Sequence, residues 1–130
     1  MPTRSLTTTT ALSRSGVPQS DHQTSADQAL SEDWLGRTDQ TLAYYRAVCD
    51  KHMPGKPSWL TETADAACGG NPWAGTFLDS FRYLDQLGRL ARQDVTVVMH
   101  NTLEASDYGL LEENTFEPKP TTGPRWFGIG

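Results

Sequence analysis

Apolar residues recur at helical spacing in two stretches of the chain, and each stretch is followed by a short apolar run. Ser25 and Ser31 are both residues that cap helix amino termini, and Glu32 and Asp33 suit the positive end of a helix. The apolar positions that follow lie three or four residues apart and predict one buried face: Trp34, Leu35, Thr38, Leu42, Tyr45 and Cys49. The segment Pro54-Gly55-Lys56-Pro57 ends this first helix because it combines two prolines with a glycine.

The two short apolar runs predict strands. The first covers residues 58–62, and the turn Gly69-Gly70-Asn71-Pro72 leads from it into a second helix at about residues 73–92. The second run, residues 95–100, is continuous and contains β-branched residues, which is typical of a strand covered on both faces in a parallel sheet. The order helix, strand, helix, strand therefore predicts parallel pairing through a right-handed crossover.

The second helix is predicted to turn an apolar face toward the sheet and a polar face toward water. The positions predicted to be buried are Phe77, Phe81, Leu84, Leu87 and Ala91. The positions predicted to face water are Arg82, Gln86, Arg89 and Gln93. Burial of this apolar stripe is the main packing interaction expected between the helix and the sheet.

Composition divides the chain into an ordered centre and two tails. Residues 1–24 are rich in Thr and Ser and low in apolar side chains, so burial cannot offset the entropy of ordering them. We expect a disordered low-complexity segment over residues 1–24, an ordered unit over residues 25–120 and an irregular tail over residues 121–130. The tail contains three glycines and a proline and has no periodicity.

Length, charge and cysteine usage exclude several classes of protein. The 130 residues suffice for one small domain and fall short of the roughly 250 that a complete eight-stranded β/α barrel needs. The net charge of −5 and the scattered Lys and Arg residues argue against nucleic-acid binding. No apolar stretch approaches the ~20 residues of a membrane span, and no secretory signal is visible. Cys49 and Cys68 lack CxxC spacing, which favours two buried thiols over a disulfide framework.

Glu62 is the residue with the clearest chemical context. It closes a short apolar run, and side chains at the carboxyl end of a strand line the active-site mouth of a β/α barrel. Hydrolysis of a glycoside requires two carboxyl groups, and the chain offers one good candidate. In an unrelated domain a glutamate at this position is usually a solvated loop residue. No His or carboxylate cluster has metal-ligand spacing, so neither a metal nor a cofactor is predicted.

Several short motifs follow one another in an order typical of one enzyme family. They are Pro54-Gly55-Lys56-Pro57, Trp59-Leu60-Thr61-Glu62-Thr63, Gly69-Gly70, Phe77-Leu78-Asp79-Ser80-Phe81-Arg82-Tyr83-Leu84-Asp85, Val97-Val98-Met99-His100-Asn101, Asp107-Tyr108-Gly109-Leu110-Leu111 and Phe116-Glu117-Pro118. Residues 26–120 thus resemble the last two β/α units of the catalytic barrel in glycoside hydrolase family 79, the heparanase and β-glucuronidase-like group. This resemblance implies an α/β fold, a partial TIM-type (β/α)8 barrel with disordered tails.

The resemblance also implies a retaining glycosidase that acts on O-glycosyl bonds in uronic-acid-containing glycans. By position in the family motif, Glu62 matches the nucleophile at the end of the seventh strand. Gly69, Gly70 and Tyr108 match positions that hold the sugar, and His100 and Asn101 match positions that line the pocket. The expected partner is a glycan or glycoside substrate. Members of the family are often secreted or membrane-associated, while the compartment of this chain is not determined by its sequence.

The chain departs from the family pattern at both ends and in one catalytic group. The family's proton donor is a Glu after an Asn on the fourth strand, and no carboxylate here has that context: Glu32, Asp65, Glu104, Glu112 and Glu113. We expect a fragment with an altered reading frame or mispredicted exon boundaries. Two alternatives to an incomplete enzyme remain open. One is a non-catalytic carbohydrate- or partner-binding remnant, and the other is a half that docks onto a separate chain with the missing barrel strands.

Overall fold

The structure of the chain is a computed structural model that describes residues 4–7, 23–66 and 70–123, with only the backbone for residues 4–7. Strands and helices alternate along most of this part. In chain order the elements are strand β1 (Arg4–Thr7), helices α1 (Glu32–Leu35) and α2 (Arg37–His52), strand β2 (Ser58–Thr63), helix α3 (Phe77–Arg92), strand β3 (Val95–His100) and a 3-10 helix (Pro120–Thr122). The predicted order of helix, strand, helix and strand is confirmed over residues 32–100.

The strands form one parallel sheet in the order β1-β2-β3. Between β2 and β3, Ser58 is paired with Val95, and Thr63 is paired with His100. The register shifts twice along this pair, between Ser58 and Trp59 and again between Leu60 and Thr63. The predicted parallel pairing is therefore confirmed, and the carboxyl ends of β2 and β3 lie side by side.

Strand β1 differs from the expectation for residues 1–24, which were predicted to be disordered. Its backbone pairs with β2 in parallel, with Arg4 opposite Ser58 and Leu6 opposite Leu60. An edge of β2 without a neighbour would expose a row of unpaired backbone groups, and a short extended segment satisfies them whatever its composition. Residues 1–3 and 8–22 lie outside the described part, as do residues 124–130 of the predicted irregular tail.

The sequence predicted one continuous first helix, and this was wrong: the structure has two helices, α1 and α2, separated at Gly36, since glycine is a weak helix former. The Ser31 side chain accepts a hydrogen bond from the Trp34 amide at 3.3 Å and caps α1. Helix α2 ends at His52, just before the proline- and glycine-containing segment. The predicted stripe contributes Leu42 and Cys49 to the buried core, where they pack with one residue from each neighbouring element: Leu60, Leu90 and Val95. Cys49 is a free buried thiol, and Cys68 lies outside the described residues.

Helix α3 has the orientation opposite to the predicted one. Phe77, Phe81 and Leu84 are 73%, 60% and 41% exposed, while Arg82 and Gln86 are each only 4% exposed. The prediction of a buried apolar stripe was wrong because the inward face combines Tyr83 and Leu90 with polar side chains that hydrogen-bond to one another. Hydrogen bonds and ion pairs of this kind lower the cost of burying polar groups.

Strand β3 is less covered than its apolar run predicted. Val95 is buried, whereas Thr96 and Met99 are exposed and the remaining residues of the strand are half-buried. Within the described residues β3 is an edge strand, with a neighbouring strand on one side only. The prediction that both faces of β3 are covered was wrong for this part of the chain, because Thr96 and Met99 are exposed. Coverage of the two faces depends on which helices and loops pack against them.

Candidate active site

Glu62 and Asn101 meet at the carboxyl ends of two neighbouring strands. The Asn101 amide donates to the backbone oxygen of Thr63 at 2.8 Å, which places Asn101 beside the end of β2. Its side-chain Nδ2 then donates to Glu62 Oε1 at 2.7 Å. Both side chains are half-buried. An amide donor orients a carboxylate without cancelling its charge, so Asn101 fixes the orientation of Glu62 at the carboxyl end of the sheet.

His100 and Tyr108 are joined by a contact between a side chain and the backbone. His100 Nε2 lies 2.9 Å from the backbone oxygen of Tyr108. A carbonyl oxygen can only accept, so Nε2 carries the hydrogen in this contact. The His100 ring also meets the Tyr83 ring edge-on, with 5.1 Å between centroids. His100 thus joins the loop after β3 to the inward face of α3.

Gly70 lies against the Tyr108 ring in a backbone conformation that favours glycine. Its φ is +89°, and a Cβ built on it would lie 2.9 Å from Tyr108 Cδ1 and 3.0 Å from Asp65 Oδ1. No other residue fits this space without displacing one of these neighbours. The structure therefore brings Gly70 and Tyr108 together. Gly69, the other glycine of the predicted sugar-binding turn, lies outside the described residues.

Asp65 is a buried carboxyl group that sequence reasoning did not assign to the site. It is fully buried, and its Oδ2 accepts from the Asn71 amide at 2.7 Å and from Asn71 Nδ2 at 3.0 Å. Burial raises the pKa of the Asp65 carboxyl above its ordinary value and repulsion from Asp79 adds to this, while the hydrogen bonds from Asn71 and the nearby Arg82 oppose it. The signal in the sequence is a lone carboxylate between alanines, Ala64 and Ala66.

A buried chain of polar side chains ties α3 to the end of β2. Gln86 Nε2 donates to Thr63 Oγ1 at 3.0 Å, and Arg82 Nη1 donates to Gln86 Oε1 at 3.0 Å. Arg82 Nε pairs with Asp79 Oδ1 at 2.6 Å. The other oxygen of Asp79 accepts from the Gly75 amide at 3.1 Å. This series of hydrogen-bonded side chains supports Thr63, the residue that follows Glu62. It also explains why the polar face of α3 is turned inward.

An open cleft of about 540 Å³ lies at the opposite end of the strands. Its lining comes from the amino ends of β2 and β3 and from the segments before them: Arg46, Asp50, Gly55, Lys56, Pro57, Ser58, Asp94 and Thr96. In β/α barrels this end serves stability, and the chemistry lies at the carboxyl end. The cleft is therefore separate from the Glu62 site.

The described part of the chain contains neither a metal-binding cluster nor a membrane-spanning helix. Within it, no three His, Cys, Asp or Glu side chains come together as a metal site. None of its helices combines the length and apolar content that crossing a bilayer requires.

The chain is an α/β protein, because its parallel strands β2 and β3 are joined by a helix. Its candidate chemistry lies on strand ends, where a carboxylate ends one strand and its amide partner follows the next. Sequence comparison adds the family. The chain is 37% identical over 92 residues to heparanase-like protein 1 of Arabidopsis thaliana, and 45% identical over 93 residues to heparanase of Mus musculus. It is also 39% identical over 66 residues to a hyaluronoglucuronidase of Hirudo nipponia. The chain belongs to the heparanase-like family, as its motifs predicted.

The similarity covers much of this chain and a small part of its relatives. The matches to the plant and mouse proteins each include 70% of the chain and 17% of the relative, and the leech match includes 50% and 14%. No model of a known protein family matches the chain. The shared segment is thus about one sixth of the length of a heparanase-like protein.

Proposed function

We propose that this chain carries the nucleophile side of a retaining glycoside hydrolase site, with Glu62 as the nucleophile. The observation that carries the proposal is the hydrogen bond from Asn101 to Glu62 across the carboxyl ends of β2 and β3. A carboxylate held in this way can attack an anomeric carbon while its charge remains available. The similarity to heparanases supports a glycosidase reaction.

The sheet is proposed to be part of a (β/α)8 barrel, in which β2 and β3 are the seventh and eighth strands by resemblance. The parallel order and the strand–helix–strand connection agree with such a segment. In this arrangement the proton donor is contributed by another strand, about 5–5.5 Å from Glu62, as retaining enzymes require. The described part of the chain supplies the nucleophile, its amide partner and the loops beside them.

The substrate is proposed to be a glycan that contains uronic acid. The leech relative is a glucuronidase by name, and the mouse relative is a heparanase. Gly69, Gly70 and Tyr108 are proposed to hold the sugar, with His100 and Asn101 lining the pocket. The contact between Gly70 and the Tyr108 ring supports this grouping. Backbone amides at glycines can approach a carboxylate closely, because no Cβ intervenes.

A mechanism-based label tests Glu62 without requiring the proton donor. In 2-deoxy-2-fluoroglucuronyl fluoride the leaving group is fluoride, which departs without protonation. A Glu62 oxygen forms the bond to C1 as the C1–F bond breaks and its electron pair leaves with fluoride. We expect mass spectrometry to locate the fluoroglucuronyl group on the peptide that contains Glu62, because the 2-fluoro substituent slows hydrolysis of the intermediate.

The matched variants separate nucleophilic attack from general reactivity. Glu62→Gln should abolish labelling, since an amide oxygen is a poor nucleophile, and Glu113→Gln, a change at an exposed loop position, should label like the unaltered chain. Mouse heparanase serves as the positive control for the reagent. Labelling that persists in Glu62→Gln, or an unlabelled chain beside a labelled mouse enzyme, contradicts the proposal for this chain.

A further inference from the structure

The Asp65 carboxyl group makes two hydrogen bonds to one residue across the turn after β2. Its Oδ2 accepts from the backbone amide of Asn71 at 2.7 Å and from Asn71 Nδ2 at 3.0 Å. Asp65 itself is fully buried and therefore does not touch a bound substrate. Two hydrogen bonds from the same residue, both to Oδ2, fix Asn71 relative to Asp65.

The same turn is held from its other side by residues 23 and 24. Asn71 Oδ1 accepts from the Thr24 amide at 2.8 Å, and the Gly70 oxygen accepts from Gln23 Nε2 at 2.8 Å. Trp73 Nε1 donates to the Thr24 oxygen at 3.0 Å. Asn71 is thus fixed between Asp65 and the segment before α1, and its backbone position determines where Gly70 lies.

Gly70 is the point at which this arrangement reaches the candidate site. A Cβ added to Gly70 would lie 3.0 Å from Asp65 Oδ1 and 2.9 Å from Tyr108 Cδ1, so both groups lie on the side of Gly70 that a side chain would occupy. The Tyr108 backbone is in turn joined to His100. A displacement of Asn71 would therefore change the spacing between Gly70 and Tyr108, the two described residues that are proposed to hold the sugar.

We propose that Asp65 is a positioning residue of the glycan site, which holds the Gly70 turn against Tyr108 through its paired hydrogen bonds to Asn71. The ligand in this proposal, a glucuronide, rests on the proposed function. The placement of the turn rests on the geometry alone. The charged groups that act on Asp65 are Asp79 and Arg82 of α3, which are themselves paired.

The experiment compares Asp65→Ala with Asp65→Asn in the 130-residue chain. Asparagine retains one side-chain oxygen as acceptor, and alanine has none. We expect hydrogen exchange of the Asn71 amide to accelerate at least about tenfold in the alanine variant, and to stay near the unaltered rate in the asparagine variant. The dissociation constant for methyl β-glucuronide, measured by NMR titration, should rise by a similar factor in Asp65→Ala and not in Asp65→Asn. Asp33→Ala, at an exposed helical position, is the control and should change neither quantity.

The two readouts distinguish failure of this inference from failure of the proposed function. An unaltered chain that does not bind the glucuronide contradicts the proposed function, and the exchange rates still decide the role of Asp65. An Asp65→Ala chain that is folded, with unchanged Asn71 exchange and unchanged Gly70 and Tyr108 resonances, overturns the inference. If alanine prevents folding, Asn71→Ala replaces it: it should shift the Gly70 and Tyr108 resonances while Asp65→Asn does not, and the reverse result overturns the inference.

Discussion

At the scale of single residues, the fold favours the neutral form of Asp65 more than the unfolded chain does. Burial is the main cause that raises its pKa above the ordinary value of 3.8. The folded state therefore binds this proton more tightly than the unfolded state. The corresponding stability is fully present below the unfolded pKa and is lost as the pH rises through the folded pKa. The carboxyl group nevertheless serves as the hydrogen-bond acceptor that holds Asn71.

Replacing Asp65 with asparagine should flatten the pH dependence of stability. We expect the free energy of unfolding of the unaltered chain, relative to Asp65→Asn, to fall as the pH rises from 4 towards neutrality, because asparagine cannot ionise. Urea denaturation at a series of pH values measures this difference. Asp33→Asn changes a side chain that is 93% exposed and should run parallel to the unaltered chain. Parallel curves for Asp65→Asn and the unaltered chain would contradict the sign of the shift.

Two glycines with the same sign of φ provide a second test at this scale. Gly55 has a φ of +70° with nothing within 4 Å of an added Cβ, whereas Gly70 has close neighbours there. Gly55→Ala should therefore lose about 1 kcal/mol from the left-handed backbone alone. Gly70→Ala should lose about 2–4 kcal/mol, because overpacking against Tyr108 and Asp65 adds to that cost. Equal losses in urea denaturation would show that the Gly70 turn moves freely.

At the scale of elements, the cap of α1 and the end of α2 could be predicted from the sequence, and the start of α3 and its buried face could not. Helix caps and prolines act through neighbouring residues, so Ser31 and the segment after His52 mark their boundaries locally. The inward face of α3 depends on Thr63, which accepts a hydrogen bond from Gln86. These residues are 23 positions apart, and helical periodicity contains no information about such a partner.

The orientation of α3 leads to opposite expectations for two neighbouring residues. Arg82→Met should lower the free energy of unfolding by about 3–5 kcal/mol, because it leaves the fully buried Asp79 without its ion pair. Phe81→Ala should change it by less than about 1 kcal/mol, since the ring is 60% exposed. Thermal or urea denaturation of both variants gives the comparison. A larger loss at Phe81 than at Arg82 would favour the buried apolar stripe that the sequence pattern predicts.

At the scale of the whole molecule, Arg89 joins three helices. Its guanidinium pairs with Glu32 at the start of α1, Asp39 in α2 and Asp85 in α3. The Arg89 side chain is 12% exposed, and the hydrogen bonds that it donates to these carboxylates raise its pKa. The charge of Arg89 is therefore retained at any pH at which the chain is folded, and the cluster fixes α1 and α2 relative to α3.

Loss of this cluster should be measurable and sensitive to salt. Arg89→Met should lower the free energy of unfolding by about 1–2 kcal/mol, because three carboxylates lose their partner. The loss is limited because water partly screens these carboxylates. Arg37→Met removes a pair that is longer, at 3.9 Å, and more exposed, together with the contact of Arg37 with the Trp34 ring, so its effect should stay below about 1 kcal/mol. The difference between the variants should decrease in 1 M salt, where the Debye length is about 3 Å. A difference that does not change with salt would argue for packing by the Arg89 stem instead.

For the candidate site, as for the fold, the sequence indicates which residues are involved and the structure shows how they contact one another. The sequence singled out Glu62 from its place at the end of an apolar run, and the family motifs added Asn101, His100, Tyr108 and the glycines. The sequence did not indicate that Asn101 donates to Glu62. It also did not indicate that Asp65 anchors the turn containing Gly70, because both facts depend on how the register of β2 and β3 and the path of the turn place distant residues.

The order of elements over residues 32–100, the parallel pairing of β2 with β3 and the kinship with heparanases follow from the sequence, because caps, prolines and apolar runs act over a few residues. Only the tertiary structure decided which face of α3 is buried, that Asp65 is enclosed, and that β1 pairs with β2. Burial and hydrogen-bond partners are properties of segments that meet in space. A polar side chain such as Arg82 lies inside the fold because Asp79 and Gln86 accept hydrogen bonds from its Nε and Nη1.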